Sequence, residues 1–203
     1  PPNSGSDAVS RSTACNHAPD LWDRNYNNIT HMGAHGSSFL RDGNGGFAAA
    51  GNQNYNATDA LDAGVRMLQA QVHKENSTLR LCHTSCDILD ASPLEDWLSK
   101  INDWVKGNPN EVITLLLVNS DDAKPAEIGK AVNGSGLAEL AYTPSGKGPT
   151  SEWPTLKSMI DNSTRVVTFV TNIDATSDYP YLMDEFDYVF ETAFEVPSLT
   201  GFN

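Results

Sequence analysis

Two segments of the chain are almost continuously apolar, and they dominate its hydrophobic pattern. They run from Glu111 to Val118 and from Arg165 to Asn172, and runs of this kind are typical of strands that are buried on both faces. The segment from Val65 to Val72 instead alternates apolar and polar residues, which predicts a strand with one buried face. Shorter strands are predicted at 28–34, 79–84 and 188–194.

The clearest helical pattern follows Ser92, where apolar residues recur at three- and four-residue spacing up to residue 105. Ser92 is the expected N-cap, Pro93 occupies the first helical position, and Gly107 begins the segment that ends the helix. Shorter helical segments are predicted at 58–63, with Thr58 as N-cap, and at 125–141, 153–160 and 182–186. The alternation of strands and helices predicts a parallel α/β sheet that is covered by helices.

The length of 203 residues suits one domain. Residues 1–20 begin with a polar, flexible stretch and are expected to form an N-terminal tail and a loop that leads into the domain at 21–203. No apolar run approaches the roughly 20 residues that a membrane-spanning helix needs.

The net charge and the N-glycosylation sequons indicate where the protein acts and which partners it has. Thirteen basic residues stand against 26 acidic ones, a net charge of −13, so the chain gains no attraction from phosphates and we expect no nucleic-acid partner and no strong docking on anionic membranes. Five N-x-[ST] sequons favour a secreted glycoprotein. Their acceptors are Asn28, Asn56, Asn76, Asn133 and Asn162.

Polar residues at the ends of the predicted strands are the first candidates for chemistry, because such residues meet at one edge of a parallel sheet. These residues are His35, His73 or His83, Asn119, Asn172 and Glu191. Two histidines at neighbouring strand ends suit acid–base catalysis, since imidazole gives and takes protons near neutral pH.

The stretch Leu-Cys-His-Thr-Ser-Cys at 81–86 places His83 between two cysteines. A metal site, a haem attachment, a redox pair and a catalytic histidine are all readings of such a stretch. Cys82 and Cys86 are close enough in sequence to close a small loop, and Cys15, the third cysteine, would then have no partner within the chain.

Three segments carry a resemblance to a known family. "ITHMGAHGSSFLRD", "LDAGVRMLQAQVH" and "LCHTSCDILDASPLEDWLSKINDWVKGNPNEVITLLLVNSD" resemble the secreted fungal branch of the phosphatidylinositol-specific phospholipase C X-domain family, the PLC-like phosphodiesterases. The resemblance implies a distorted TIM barrel, of which this chain would cover the first part. It also implies cleavage of a phosphodiester, with His35 as the base that activates the attacking hydroxyl and His83 as the acid that protonates the departing alcohol.

The same resemblance implies that the 81–86 stretch is a catalytic histidine held in a loop by a Cys82–Cys86 disulfide. A haem attachment needs Cys-x-x-Cys-His, and a thioredoxin-type pair needs Cys-x-x-Cys. A zinc site needs more ligands than this stretch contains.

The chain departs from the family pattern at the expected phosphate site. Gly36 follows the first histidine where Asp or Asn is common, and Gln69 and Gln71 occupy places that hold carboxylates in calcium-dependent members. Neutral amides are poor calcium ligands, so we expect no cofactor and no tightly bound calcium. We expect Gln69 and Gln71, with Asn119 and Glu191, to contact the substrate, and Arg66 to have a structural role.

Three functions follow from these observations. The first is a secreted phosphodiesterase that acts on an inositol phospholipid, a glycosylated inositol-lipid anchor or a related phosphodiester, with transient contact to a membrane surface. The second is a catalytically silent glycoprotein that binds a lipid headgroup or a sugar phosphate. The third is a structural cell-wall glycoprotein without a small ligand.

Overall fold

The computed structural model describes residues 14–42, 48–146, 152–191 and 196–201. Within them lies one mixed sheet of seven strands with five α-helices. The strands are β1 (Gly33–Ala34), β2 (Met67–Glu75), β3 (Thr78–Cys82), β4 (Asp90–Pro93), β5 (Ile113–Asn119), β6 (Val166–Val170) and β7 (Leu182–Asp184). The helices are α1 (Ala57–Asp62), α2 (Leu94–Gly107), α3 (Pro125–Gly134), α4 (Leu156–Asp161) and α5 (Glu185–Tyr188).

The sheet has the strand order β4-β3-β2-β5-β6-β7. Strands β2, β5, β6 and β7 are parallel, as predicted, whereas β3 and β4 form antiparallel pairs. The short strand β1 lies parallel to the beginning of β2, with Ala34 opposite Leu68, and β3 lies beside its end, with Leu81 opposite Val72. Among the described residues, one side of β2 therefore has no strand partner at residues 69–71, a stretch that we call the β2 gap.

The sheet separates two apolar clusters. On one face, α2 and α3 cover the strands, and Leu94, Leu98 and Ile101 of α2 are fully buried in the larger cluster. Burial of a leucine or isoleucine side chain stabilises a fold by roughly 1.5–3 kcal/mol. Because this cluster is the larger one, this face supplies most of the hydrophobic stabilisation of the fold. The periodicity of residues 94–105 predicts that buried side of α2 correctly.

The second cluster lies on the other face and includes residues from the beginning of the chain. Cys15 and Tyr26 are buried there beside Trp153 and Phe169, and the Tyr26 hydroxyl contacts Thr114 Oγ1 at 2.5 Å. Cys15, in the tail and leading loop expected at 1–20, thus packs against the sheet, and residues 1–13 lie outside the described residues. None of the helices in the described ranges is long and apolar enough to cross a membrane.

Several expectations about local structure are wrong. Residues 182–184 form strand β7 rather than a helical turn, β4 was not expected, and the first strand is limited to Gly33–Ala34. Asn56, not Thr58, caps α1 through a bond from the Asp59 N–H, and no side chain caps α2. The expected helix at 125–141 ends at Gly134 and is followed by a 3-10 helix at Leu137–Leu140.

The structure shows a mixed α/β sheet, and no closed barrel is observed among the described residues. Strands β4 and β7 are the two edges of an open sheet in the described residues. The strand predicted at 188–194 is not found at 188–191, where α5 ends and no strand follows. Residues 192–194 lie outside the described residues.

Candidate functional site

The loop that carries His35 is attached directly to the β2 gap. His35 follows β1, and the backbone N–H of Gly36 donates a 2.6 Å hydrogen bond to Gln69 Oε1. The N–H and the hydroxyl of Ser37 both donate to the Gln69 carbonyl, each at 2.8 Å. Gln69 is itself buried, with 8% of its surface exposed, so this attachment replaces the strand pairing that the gap lacks.

Gly36 has a local structural reason to be glycine. Its φ is +55°, a region that side chains with a Cβ rarely adopt, and an added Cβ would lie 2.5 Å from Asn52 Oδ1. Gln53 Nε2 also donates a 2.6 Å hydrogen bond to the His35 carbonyl. The loop around residue 52 therefore fixes the backbone on which the exposed His35 side chain is mounted.

His83 is held from the other side of the same gap. It follows β3, and the N–H of the next residue, Thr84, donates a 3.1 Å hydrogen bond to Gln71 Oε1. The predicted Cys82–Cys86 disulfide is present in the structure and closes this turn. Thr84 has a φ of +66°, and the disulfide and the Gln71 bond hold it in this uncommon conformation.

Phe39 connects the two histidine loops. Its N–H donates a 2.9 Å hydrogen bond to the Gly36 carbonyl, and its ring contacts the His83 ring edge to face, with 5.0 Å between centroids. Gln69 and Gln71 lie two residues apart and hence on the same face of β2. The structure thus places the loops that bear His35 and His83 against each other at the β2 gap.

Asn119, expected to contact a substrate, lies elsewhere. It is 1% exposed, its Oδ1 accepts from the Ala123 N–H at 2.8 Å, and its Nδ2 donates to the carbonyls of Ala123 and Asn172. These bonds join the loops that follow β5 and β6. The Asn119 side chain thus has a structural position among the described residues, and its expected contact with a substrate stays a prediction.

A buried carboxyl group was missed by sequence reasoning. Glu185, directly after β7, is 2% exposed, and burial followed by the contact with Glu191 raises its pKa to about 7. Glu191, predicted at this edge of the sheet, is exposed and is the hydrogen-bond partner of Glu185. Glu185 could have been identified from the sequence as an acidic residue directly after a strand. It was missed because residues 182–186 were expected to be helical.

His73, the alternative to His83, belongs to a neighbouring pocket. Its Nδ1 lies 3.3 Å from Asp121 Oδ2, and Asp121 also accepts the Lys74 N–H at 2.8 Å. Together they line a pocket of about 300 Å³ that the Thr84–Cys86 turn also borders. His73 is therefore separated from the Gly36 loop by the turn that holds His83.

Arg66 has the structural position that was expected from the sequence. Arg66 is buried, pairs with Glu111 at 2.7 Å, and lies 5.2 Å from the centroid of the Trp104 ring. It donates further to the carbonyls of Leu61 and Val65. Its charge is thus directed away from the histidine loops.

No group of three metal-ligating side chains occurs among the described residues.

All five predicted glycosylation acceptors are exposed. This exposure is compatible with modification and leaves glycosylation as a prediction. Cys15, buried and without a disulfide partner, is the cysteine that was expected to remain unpaired within the chain.

Comparison with known proteins places this geometry in a family. The sequence model for the PI-PLC X domain, described as PI-PLC X 1, matches residues 21–200. In the fungus Arthroderma benhamiae, an uncharacterized secreted protein is 39% identical over 181 residues, and PI-PLC X domain-containing protein 1 is 37% identical over 182 residues. Both alignments cover 89% of this chain, which spans 40% and 58% of the two relatives.

Solved structures show the same fold at low sequence identity. The phosphatidylinositol-specific phospholipase C of Listeria monocytogenes matches with a TM-score of 0.53 at 19% identity, over 78% of this chain and 56% of the other. The F249X mutant of the Staphylococcus aureus enzyme matches with a TM-score of 0.56 at 19% identity, over 78% of this chain and 52% of the other. Because the family match covers most of the chain, the protein belongs to the PI-PLC X domain family.

Proposed function

We propose that the protein is a secreted phosphodiesterase that cleaves an inositol phospholipid, a glycosylated inositol-lipid anchor or a related phosphodiester. The observation that carries the proposal is the pair of histidine loops, both anchored on the β2 gap and joined through Phe39. Family membership and the secreted relative support it. The open sheet would then be the first part of a TIM-type barrel, in line with the fold of the solved phospholipases.

In the proposed reaction, His35 and His83 have opposite tasks. His35 takes the proton of the substrate hydroxyl, whose oxygen attacks phosphorus while the phosphorus–oxygen bond to the departing alcohol breaks. His83 gives a proton to that alcohol oxygen, so charge and atoms balance. With an inositol lipid the first product is a cyclic phosphate, because the attacking hydroxyl belongs to the inositol ring.

Gln69 and Gln71 serve this reaction as positioning residues. Both were expected to contact the substrate, but each Oε1 accepts a backbone N–H from a histidine loop. Each amide therefore holds one catalytic loop at the β2 gap. Glu185, the first residue of α5, and Glu191, which follows α5, remain candidates for binding substrate hydroxyls.

Contact with a lipid surface is part of the proposal. Ile88 lies in the loop between His83 and β4 and is 57% exposed. A large apolar side chain beside the site suits brief insertion among lipid headgroups. The net charge of −13 opposes lasting adsorption to anionic membranes, so we expect the contact to be transient.

The alternative is a silent module that binds a lipid headgroup or a sugar phosphate. It is favoured by the neutral Gln69 and Gln71, since neither supplies a cation or a calcium ligand to stabilise the phosphoryl transition state. Arg66 does not replace that charge, because it pairs with Glu111.

The test uses the full-length secreted protein and its His35→Ala and His83→Ala variants. Turnover is measured on phosphatidylinositol vesicles, on a protein with a glycosylated inositol-lipid anchor and on a chromogenic phosphodiester. Each variant should lose roughly 10²–10⁴-fold in rate, the usual contribution of a general acid or base. His31→Ala is the matched control, because His31 contacts the Tyr26 carbonyl instead. A wild-type protein that binds inositol phosphate without turnover would favour the silent module.

A further inference from the structure

Phe39 is fully buried and is held firmly within the loop of His35. It belongs to the larger apolar cluster, and its carbonyl accepts from the N–H groups of Asn52 and Gln53 at 2.8 and 2.9 Å. Its ring lies against the backbone of Gly36, since a Cβ added to that glycine would be 3.1 Å from Phe39 Cδ2. The Phe39 ring is therefore fixed relative to the residue that follows His35.

The backbone of His83 is held equally well. Its N–H donates to the Leu89 carbonyl at 2.9 Å, and its carbonyl accepts from the Ser85 N–H at 2.7 Å. The Cys82–Cys86 disulfide closes the same turn. Rotation about the two side-chain bonds is therefore the main freedom that the imidazole ring of His83 retains.

The contacts of the His83 ring show what limits that rotation. In the described part of the chain, its polar contact is an approach of Nδ1 to Thr84 Oγ1 at 3.4 Å, which is longer than an ordinary hydrogen bond. A catalytic base is usually oriented by a further group that bonds to it. Here the Phe39 ring lies 5.0 Å from the imidazole with an interplanar angle of 87°, an arrangement that aromatic rings favour. Contact with this apolar ring is thus the main restriction on the imidazole.

We propose that Phe39 is a positioning residue for the acid of the reaction, an inference that rests on the proposed function. Because Nδ1 of His83 faces Thr84, Nε2 is the nitrogen that gives its proton to the departing alcohol oxygen. The ring is left neutral and keeps its proton on Nδ1. Phe39 touches no reacting atom in this step, and it acts by holding the imidazole in the orientation from which Nε2 gives the proton.

An apolar ring suits this task because it carries no charge. A carboxylate beside His83 would add negative charge near an anionic phosphodiester, at a site where Gln69 and Gln71 supply no cation to offset it. The backbone of Phe39 also belongs to the loop of His35, whereas its ring contacts His83. One residue therefore relates the position of the base to that of the acid, and both must reach the same substrate.

The first measurement compares two leaving groups in the full-length protein and its Phe39→Leu variant. On phosphatidylinositol the variant should lose roughly 10–10²-fold in kcat, because a misplaced catalytic group costs about that much. On an inositol phosphodiester with a nitrophenolate leaving group it should stay within about threefold of the wild type, since that leaving group needs no acid. An equal loss on both substrates, or no loss on phosphatidylinositol, would overturn the proposal.

Phe169→Leu is the matched control for the loss of a buried ring. Phe169 is also buried, but its ring packs on Trp153 and Tyr188. This variant should lower Tm as Phe39→Leu does, and it should change the rates on the two substrates by the same factor. All rates are measured well below the Tm of both variants. A dependence on the leaving group as large as that of Phe39→Leu would overturn the proposal, because any truncation of the core would then produce it.

The second measurement does not depend on turnover. In protein labelled with ¹³C at the histidine rings, the His83 signals are assigned through their loss in His83→Ala. They should show nuclear Overhauser effects to the Phe39 ring, and in Phe39→Leu they should move toward the shifts of an exposed histidine, while the His73 signals stay in place. A wild type without turnover on either substrate would refute the proposed function and the acid role, and the spectra would still decide whether Phe39 orients the His83 ring. His83 signals that are unchanged in Phe39→Leu would overturn that orientation.

Discussion

Gln69 and Gly36 are joined by a 2.6 Å hydrogen bond from the glycine N–H to the buried side-chain oxygen. Two residues further along β2, Gln71 makes the equivalent bond to the N–H of Thr84. The amides that stand in the places of metal-ligating carboxylates therefore hold the two histidine loops. Their neutrality is consistent with this task, because a backbone donor needs an acceptor and no charge.

Gln69→Leu should destabilise the protein and misplace His35. The variant keeps the volume of the side chain but leaves the Gly36 N–H without its acceptor, which costs about 1–3 kcal/mol. We expect a lower free energy of unfolding in urea and a reduced kcat on phosphatidylinositol. Gln53→Leu is the comparison, because Gln53 also contacts this loop, at the His35 carbonyl, from a less buried position. A larger loss in Gln53→Leu would contradict the assignment.

Gly36→Ala should be more harmful than a second glycine replacement. Its Cβ would lie 2.5 Å from Asn52 Oδ1 at a φ of +55°, whereas Gly64 has a φ of +102° and nothing within 4 Å of the added Cβ. Gly64→Ala therefore measures the strain of a positive φ without a steric clash. Gly36→Ala should exceed it in thermal unfolding and should also reduce activity, because the loop of His35 must move.

The buried part of the fold is predictable because hydrophobic periodicity reports burial. The two apolar runs that begin near Glu111 and Arg165 became the central strands β5 and β6, and the pattern after Ser92 became α2. Strand β7 was mistaken for a helical turn, because three residues are too few to show a period. Strand β4 was missed since Asp90–Pro93 contains no apolar alternation, and its pairing with β3 comes from tertiary contact alone.

The residue types of the candidate site can be predicted from the sequence, whereas the role of each residue is harder to predict. His35, and His73 or His83, were candidates from the predicted strand ends, and the family resemblance then selected His83 and implied the two catalytic roles. The short spacing of the cysteines agrees with the disulfide. The substrate role given to Asn119 came from its place at a strand end, and those given to Gln69 and Gln71 came from the family pattern. Neither source reveals whether a polar side chain is already occupied. Such occupation depends on hydrogen bonds to residues distant in sequence, as for Gln69 and Gly36.

Removal of the disulfide should weaken both stability and catalysis. Cys82 and Cys86 close a loop of five residues, for which loop entropy predicts a loss of about 2 kcal/mol. A double replacement by serine should lower Tm and reduce kcat, since His83 is released inside the opened turn. A mild reductant should have the same effect on Tm and kcat as the double replacement, because it opens the same disulfide. Cys15→Ala is the control for this treatment. Burial raises the pKa of the Cys15 thiol to about 11, so the effect of the reductant should not depend on Cys15.

Glu185 should make stability depend on pH. Burial, with the neighbouring Glu191, raises its pKa from 4.5 to about 7, so the folded state favours the protonated acid. This contribution is present below pH 4.5 and is lost as the pH rises from there through about 7. Glu185→Gln should flatten the decline of Tm over this range and raise Tm at pH 7.5. The exposed Glu139→Gln should not, and a pH profile unchanged by Glu185→Gln would contradict the prediction.

The division of labour between the two histidines is the central claim, and the leaving group of the substrate tests it. The measurement compares the rates of His35→Ala and His83→Ala on phosphatidylinositol and on an inositol phosphodiester whose leaving group is a nitrophenolate. That leaving group needs no protonation, so His83→Ala should regain most of its rate, within about tenfold of the wild type, while His35→Ala should remain roughly 10²–10⁴-fold impaired. Rescue of His35→Ala instead, or equal impairment of both variants on the two substrates, would contradict the assignment of His35 as base and His83 as acid.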